Sequence, residues 1–120
     1  MTELLFICSH GKEDPERAIL PFVAANAAAI AGQSAVVILT IEAVWLGTQG
    51  GTDGVAMEGF PELGPLFNEF VENGGQVWLC GTCAKPRGIV EDQLAKGARI
   101  TGAANIVERI VNGAQSISFA

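Results

Sequence analysis

The chain opens with a short unbroken apolar run, Glu3–Cys8 (Glu-Leu-Leu-Phe-Ile-Cys), that stops at Ser9-His10-Gly11. That pattern predicts a buried strand followed by a loop. Asp14-Pro15-Glu16 then marks a helix start, with Asp as N-cap, Pro at the first helical position and Glu in the first turn. The helix is expected to run to about Ala31, where Gly32 ends it. Its Ala-rich middle, residues 24–31, permits close packing against a sheet or a neighbouring subunit, and Pro21 predicts a kink or a late start. Residues 34–40, with Val36, Val37, Ile38 and Leu39 in succession, form a second buried strand, and 41–46 a short helix. Residues 47–54 are the most Gly-rich stretch and read as a mobile loop. An amphipathic helix over Leu63–Glu72, closed by Asn73-Gly74-Gly75, leads to a third strand, Gln76–Cys80. Beyond it the pattern gives a turn with Pro86 and Gly88, a short helix near 91–96, a small strand over 99–101, a helix over Ala103–Val111 ending at Asn112-Gly113, and a last strand over 115–119.

Strands and helices therefore alternate, and the strands are continuously apolar. This is the signature of an α/β fold: one three-layer domain over residues 1–120, with a mostly parallel sheet of about five strands and helices on both faces. Right-handed crossovers bring the C-terminal ends of such strands together, and ligands and reactive groups gather there.

Composition narrows the function. Of 120 residues, 49% are apolar and 17% charged, enough to build a core and too apolar for disorder. A domain this small often gains stability by oligomerising. The net charge of −6 and the scattering of seven cationic side chains argue against nucleic acid as a partner. No apolar run approaches the ~20 residues of a membrane span, so no membrane partner is expected. The N-terminus lacks a basic region and a cleavage site and reads as a strand, not a signal peptide. Three cysteines, an odd number, fit a cytoplasmic protein with a reactive thiol or dithiol better than a secreted disulfide framework.

The candidate chemistry lies in Cys80-Gly81-Thr82-Cys83. Cys80 is expected at the C-terminal end of the third strand, where backbone N–H groups, Lys85 and Arg87 favour a thiolate. Cys83 follows at dithiol spacing. One Cys-x-x-Cys and a single His fall short of the usual four zinc ligands, so no metal is expected. Cys8 reads as a small core residue. His10 follows the first strand and would share the same end of the sheet, as a base, an orienting group or an ordinary loop residue. The Gly-rich stretch lacks nucleotide-binding spacing and reads better as a flap over the Cys. Trp45 and Trp78 read as packing residues, and Glu42 as a solvated carboxylate that can alternatively face the site.

The stretch Val77-Trp78-Leu79-Cys80-Gly81-Thr82-Cys83-Ala84-Lys85-Pro86-Arg87-Gly88-Ile89 resembles the DsrE/DsrF-like family of sulfur-relay proteins, which includes the TusD type. There a strand ends in a Cys and an Arg-Gly pair follows; Cys80 and Arg87-Gly88 match that layout. Asp14-Pro15 before a long Ala-rich helix, Gly74-Gly75 before the Cys strand and the closing Ala114-Gln115-Ser116-Ile117-Ser118-Phe119 are also similar. The resemblance implies a small parallel α/β fold without a bound cofactor, and homo-oligomers (dimers, trimers or hexamers). It implies a persulfide carried on Cys80, received from one protein thiol and passed to another, a sulfurtransferase-like role. Cys83 departs from the family pattern. A second thiol can attack a Cys80 persulfide and leave a Cys80–Cys83 disulfide, the chemistry of a thiol–disulfide oxidoreductase, or it can point inward and be inert. A third reading is a non-catalytic subunit of an oligomeric sulfur-relay complex.

Overall fold

Five strands form one sheet in the computed structural model, which describes residues 2–119. They are β1 (Glu3–Cys8), β2 (Ser34–Leu39), β3 (Gln76–Cys80), β4 (Ala98–Thr101) and β5 (Gln115–Ser118), joined chiefly by helices α1 (Pro15–Ile30), α2 (Leu63–Glu72), α3 (Gly81–Ala84) and α4 (Ala103–Val111). The spatial order is β4-β3-β2-β1-β5, and every neighbouring pair is parallel. The chain steps one way across the sheet from β1 to β4, then returns past β1 to β5. Right-handed crossovers place the first three connections on one face and the last on the other.

Side-chain alternation matches that topology. Phe6, Cys8, Val37, Leu39, Val77 and Leu79 join residues of α1 and α2 in a large buried cluster. Leu5, Val36, Ile38 and Trp78 form a smaller cluster on the opposite face, against which Ile106 of α4 packs. Helices thus lie on both faces, unequally.

The helix signals act as expected on α1. The Asp14 carboxylate accepts from the Arg17 N–H at 3.1 Å, and Pro15 opens the helix. Pro21 is buried inside an unbroken helix, so the start is not delayed. Phe22 packs against Phe67 and Phe70 of α2, with ring centroids 5.4 and 6.1 Å away. Beside them Asn26 donates to Glu69 and accepts from Asn73 at 3.1 Å, so the one buried polar side chain of the described core is satisfied.

Three local expectations change. Residues 47–54 are a run of hydrogen-bonded turns, not a free loop: Thr48, Gly51 and Asp53 each bond three residues back. Gln49 N–H and Gly47 C=O also bond to Gln93 C=O and Ala95 N–H, at 2.8 Å each. Gly51 lies so close under Trp45 that a Cβ would meet the Trp45 carbonyl oxygen at 1.8 Å, and Gly47 is pressed likewise on Leu79. These glycines serve close packing instead of mobility. The helix expected near 91–96 is a single 3₁₀ turn, Glu91–Gln93, and the one at 41–46 is a 3₁₀ segment, Ile41–Gly47.

Candidate functional site

Cys80 is the last residue of β3, and the register puts it level with Thr101 of β4 and one residue beyond Leu79, which pairs with Leu39 of β2. The C-terminal ends of β1, β2 and β3 therefore adjoin one another, with Cys8 level with Leu39. Gly81 lets the chain turn at once, since a Cβ there would stand 3.3 Å from the Thr101 carbonyl oxygen. α3 is only one turn long and runs into the 3₁₀ turn Lys85–Arg87, which Gly88 closes with φ +74°. The helix field expected beside Cys80 is correspondingly small.

The three cysteines, all free thiols, have different surroundings. Cys8 is buried among the residues of the large cluster, and its sulfur donates weakly to the carbonyls of His10 and Ala18. Burial pushes its thiol up to about 12, against the hydrogen bond to His10 and with a further push from Glu13. Cys83 is half-buried and packs against that same cluster. Cys80 is half-buried but belongs to neither cluster, and strand alternation carries it to the side of Trp78, opposite Cys8.

The supporting side chains are arranged as follows. Arg87 donates from Nε and Nη2 to one carboxylate oxygen of Glu42, at 3.1 and 3.0 Å, and from Nη1 to the Cys83 carbonyl at 3.0 Å. Its charge is directed at Glu42 and at the backbone of the Cys83 turn. Lys85 is exposed. His10 Nδ1 lies 2.8 Å from a carboxylate oxygen of Glu13, whose other oxygen accepts from Gly11 N–H. Desolvation raises the Glu13 carboxyl, but the hydrogen bonds from His10 and Gly11 outweigh it and hold the group below its usual range.

Glu42 is the residue that sequence reasoning undervalued. It follows β2, the neighbour of β3, and its backbone is held tightly: a Cβ on Gly11 would come within 2.8 Å of the Glu42 carbonyl oxygen. Ile41, just before it, has φ +54°, a left-handed conformation that is strained for a β-branched residue, and it is 54% exposed. The available signal was an acidic residue directly after the strand next to the Cys strand, with a lone Arg on the Cys turn.

An apolar pocket of about 330 Å³ adjoins the turn, lined by Gly81, Ala84, Ile89, Val90 and Ile100 among others. A larger polar cleft, about 740 Å³, lies at the other end of the strands around Glu3, Ser34 and Arg109, away from the cysteines. Among the described residues no three His, Cys, Asp or Glu side chains are grouped to hold a metal, and no helix is long and apolar enough to cross a membrane.

Comparison with known proteins gives a consistent picture. Residues 2–119 match the family model of the DsrE/DsrF-like family. The uncharacterized protein MJ0760 of Methanocaldococcus jannaschii is 31% identical over 101 residues, covering 84% of this chain and 37% of that protein. The chain thus spans little more than a third of that relative. The uncharacterized protein MK0008 of Methanopyrus kandleri is 25% identical over 113 residues, covering 94% of this chain and 90% of its own length. Two solved structures share the fold. The YchN protein of E. coli has a TM-score of 0.82 at 19% identity, and MTH1491 of Methanobacterium thermoautotrophicum, a protein of unknown function, 0.73 at 17%. Each alignment covers 99% of this chain and 100% of the other.

Proposed function

The chain belongs to the DsrE/DsrF-like family, whose members work in sulfur relay, and from that premise we propose that it is a cytoplasmic persulfide carrier, sulfurtransferase-like, with Cys80 as the sulfur-accepting nucleophile. One observation carries this reading. Of the three cysteines, only Cys80 stands at the C-terminal end of the sheet outside both apolar clusters, whereas Cys8 is buried and Cys83 packs inward. In the transfer the Cys80 thiolate attacks the outer sulfur of a donor persulfide. A new S–S bond forms on Cys80, the donor's S–S bond breaks, and the donor leaves as a thiolate. Sulfane sulfur moves without net oxidation or reduction. A protein thiol acceptor then repeats the step in reverse roles, and Arg87, Lys85 and His10 supply the polar surroundings.

The dithiol reading rests on Cys83. Its thiolate would attack Cys80 Sγ, expel sulfide and leave an intramolecular disulfide, the dithiol losing two electrons to the sulfane sulfur. The inward packing of Cys83 favours the carrier. The test is intact mass after exposing the reduced protein to a small-molecule persulfide. A gain of about 32 Da on wild type and on Cys8→Ser, absent from Cys80→Ser, is expected. Labelling retained by Cys80→Ser would overturn the assignment. A loss of two hydrogens on wild type, with sulfur held only by Cys83→Ser, would make it a redox enzyme.

The working unit in this reading is an oligomer of identical chains joined through α4 and β5. α4 carries Ala104, Val107, Ile110 and Val111 along one arc, yet none of its residues is buried, and all four residues of β5 are exposed at the border of the sheet. A nine-residue helix gains little stability unless it packs. Residues 97–119 hold two Arg and one Glu, net +1, against −7 for the rest of the chain, so copies meet there without acidic repulsion.

A further inference from the structure

Arg87 sits on the Cys80 turn in an acidic chain, but its guanidinium is occupied. Two of its nitrogens reach one oxygen of Glu42 and the third holds the Cys83 carbonyl. The pair joins residues 45 apart in sequence, from the end of β2 to the turn after the neighbouring β3. Glu42 reaches that position through a left-handed Ile41, a strained conformation for a β-branched residue that persists only where the surrounding structure fixes it. The Gly11 backbone, pressed on the Glu42 carbonyl, is part of that surrounding. A merely solvated carboxylate needs neither feature.

We propose that Glu42 is a specificity-determining residue. It cancels the charge of Arg87 on the turn that follows Cys80, so a small anionic sulfur donor meets one cation fewer there and uncharged donors are favoured over anionic ones. Of the other charged groups, His10 is engaged by Glu13, and Lys85 and Lys12 are exposed, so solvent screens their charge more than that of the half-buried Arg87. Arg87 keeps its second task, holding the Cys83 carbonyl and with it the turn that presents Cys80. This inference rests on Cys80 being the sulfur-handling thiol.

The charge role is read without sulfur chemistry. In a Cys83→Ser background at low ionic strength, Cys80 is alkylated with neutral iodoacetamide and with anionic iodoacetate, and the ratio of the two rates reports local charge. In both reactions the thiolate forms an S–C bond and iodide leaves. Glu42→Gln is expected to raise the iodoacetate-to-iodoacetamide ratio about two- to fivefold. Arg87→Gln lowers it by a similar factor, and the double variant returns to the parental value. A ratio unchanged in the soluble, folded single variants overturns the proposal, because a purely structural role alters both rates alike. If Glu42→Gln does not fold, the fall in Arg87→Gln still decides. Thiosulfate as donor, whose sulfane sulfur passes to Cys80 as sulfite leaves, is expected to load Glu42→Gln faster than the parent. A ratio that moves while no donor loads Cys80 would leave the charge role standing and remove the sulfur reading. Sulfur loading with an unmoved ratio would do the reverse.

Discussion

The two faces of the sheet are built to different standards. On one, α1 and α2 bury Ile19, Phe22, Leu63 and Phe70 completely and close over Cys8, and a hydrogen-bonded Asn26 ties the helices together. On the other, a single nine-residue helix, α4, lies over Trp78, and no residue from 90 to 119 is buried. Trp78 itself is 0% exposed, with Arg99 and Arg109 stacked over its ring at 4.7 and 5.0 Å. Two guanidinium groups thus cover apolar surface that the first face covers with hydrocarbon, a use of long side chains that keeps their charge in water. The first face is finished within one chain. The second is shielded enough to fold and leaves Val107, Ile110, Val111 and Ile117 exposed, the surface on which the proposed oligomer would join.

The helices that cover the two faces should respond differently to truncation. Phe22→Ala removes a fully buried ring from between Phe67 and Phe70 and should cost about 3–5 kcal/mol. Val107→Ala on α4, already 59% exposed, should stay within about 0.5 kcal/mol when measured on the dissociated chain. Urea denaturation of both variants at low concentration measures the contrast, and equal losses would show that the two faces are not different in kind.

The buried thiol sharpens the comparison through pH. Cys8 ionises at about 12 when folded against an ordinary 9.0. Above pH 9 the unfolded chain sheds a proton that the folded chain keeps, so the unfolded state gains. The stability that Cys8 contributes is whole below pH 9 and falls as pH rises through 12, by about 1.4 kcal/mol per pH unit and about 4 kcal/mol in all. In Cys8→Ala that slope should vanish, whatever its stability at pH 7. Parallel slopes for the two proteins between pH 9 and 11 would mean that the thiol is not held inside this face.

Most of the fold is legible in the sequence because its signals are local. The apolar runs of β1 to β3, the Asp14-Pro15 start of α1 and the glycine stops after α2 and α4 each depend on neighbours within a few residues. The Gly-rich stretch 47–54 misleads because glycine signals freedom only where nothing approaches it. Here Trp45 and Leu79 press on Gly51 and Gly47, and residues 93–95 bond the segment down. The site is half legible for the same reason. Cys80 is announced by the strand that it ends, but Glu42 meets Arg87 across 45 residues, and only the β2–β3 pairing brings them together. The inward packing of Cys83 is a tertiary fact that its spacing from Cys80 does not encode.

The smallest effect on the single chain should be the largest on its assembly. Val111 is 77% exposed and ends the apolar arc of α4. Val111→Asp removes little buried area, so the dissociated chain should lose only about 0.5 kcal/mol. In an assembly joined through α4 and β5, the same change buries a carboxylate without a partner, which costs several kcal/mol at each interface. Equilibrium sedimentation should then find oligomers of the wild type and monomers of the variant. Asn68→Asp, exposed on α2 over the opposite face of the sheet, is the matched control for added charge. If both variants stay assembled, α4 is not the joint. If the wild type is itself a monomer at high concentration, α4 and β5 do not join copies of this chain.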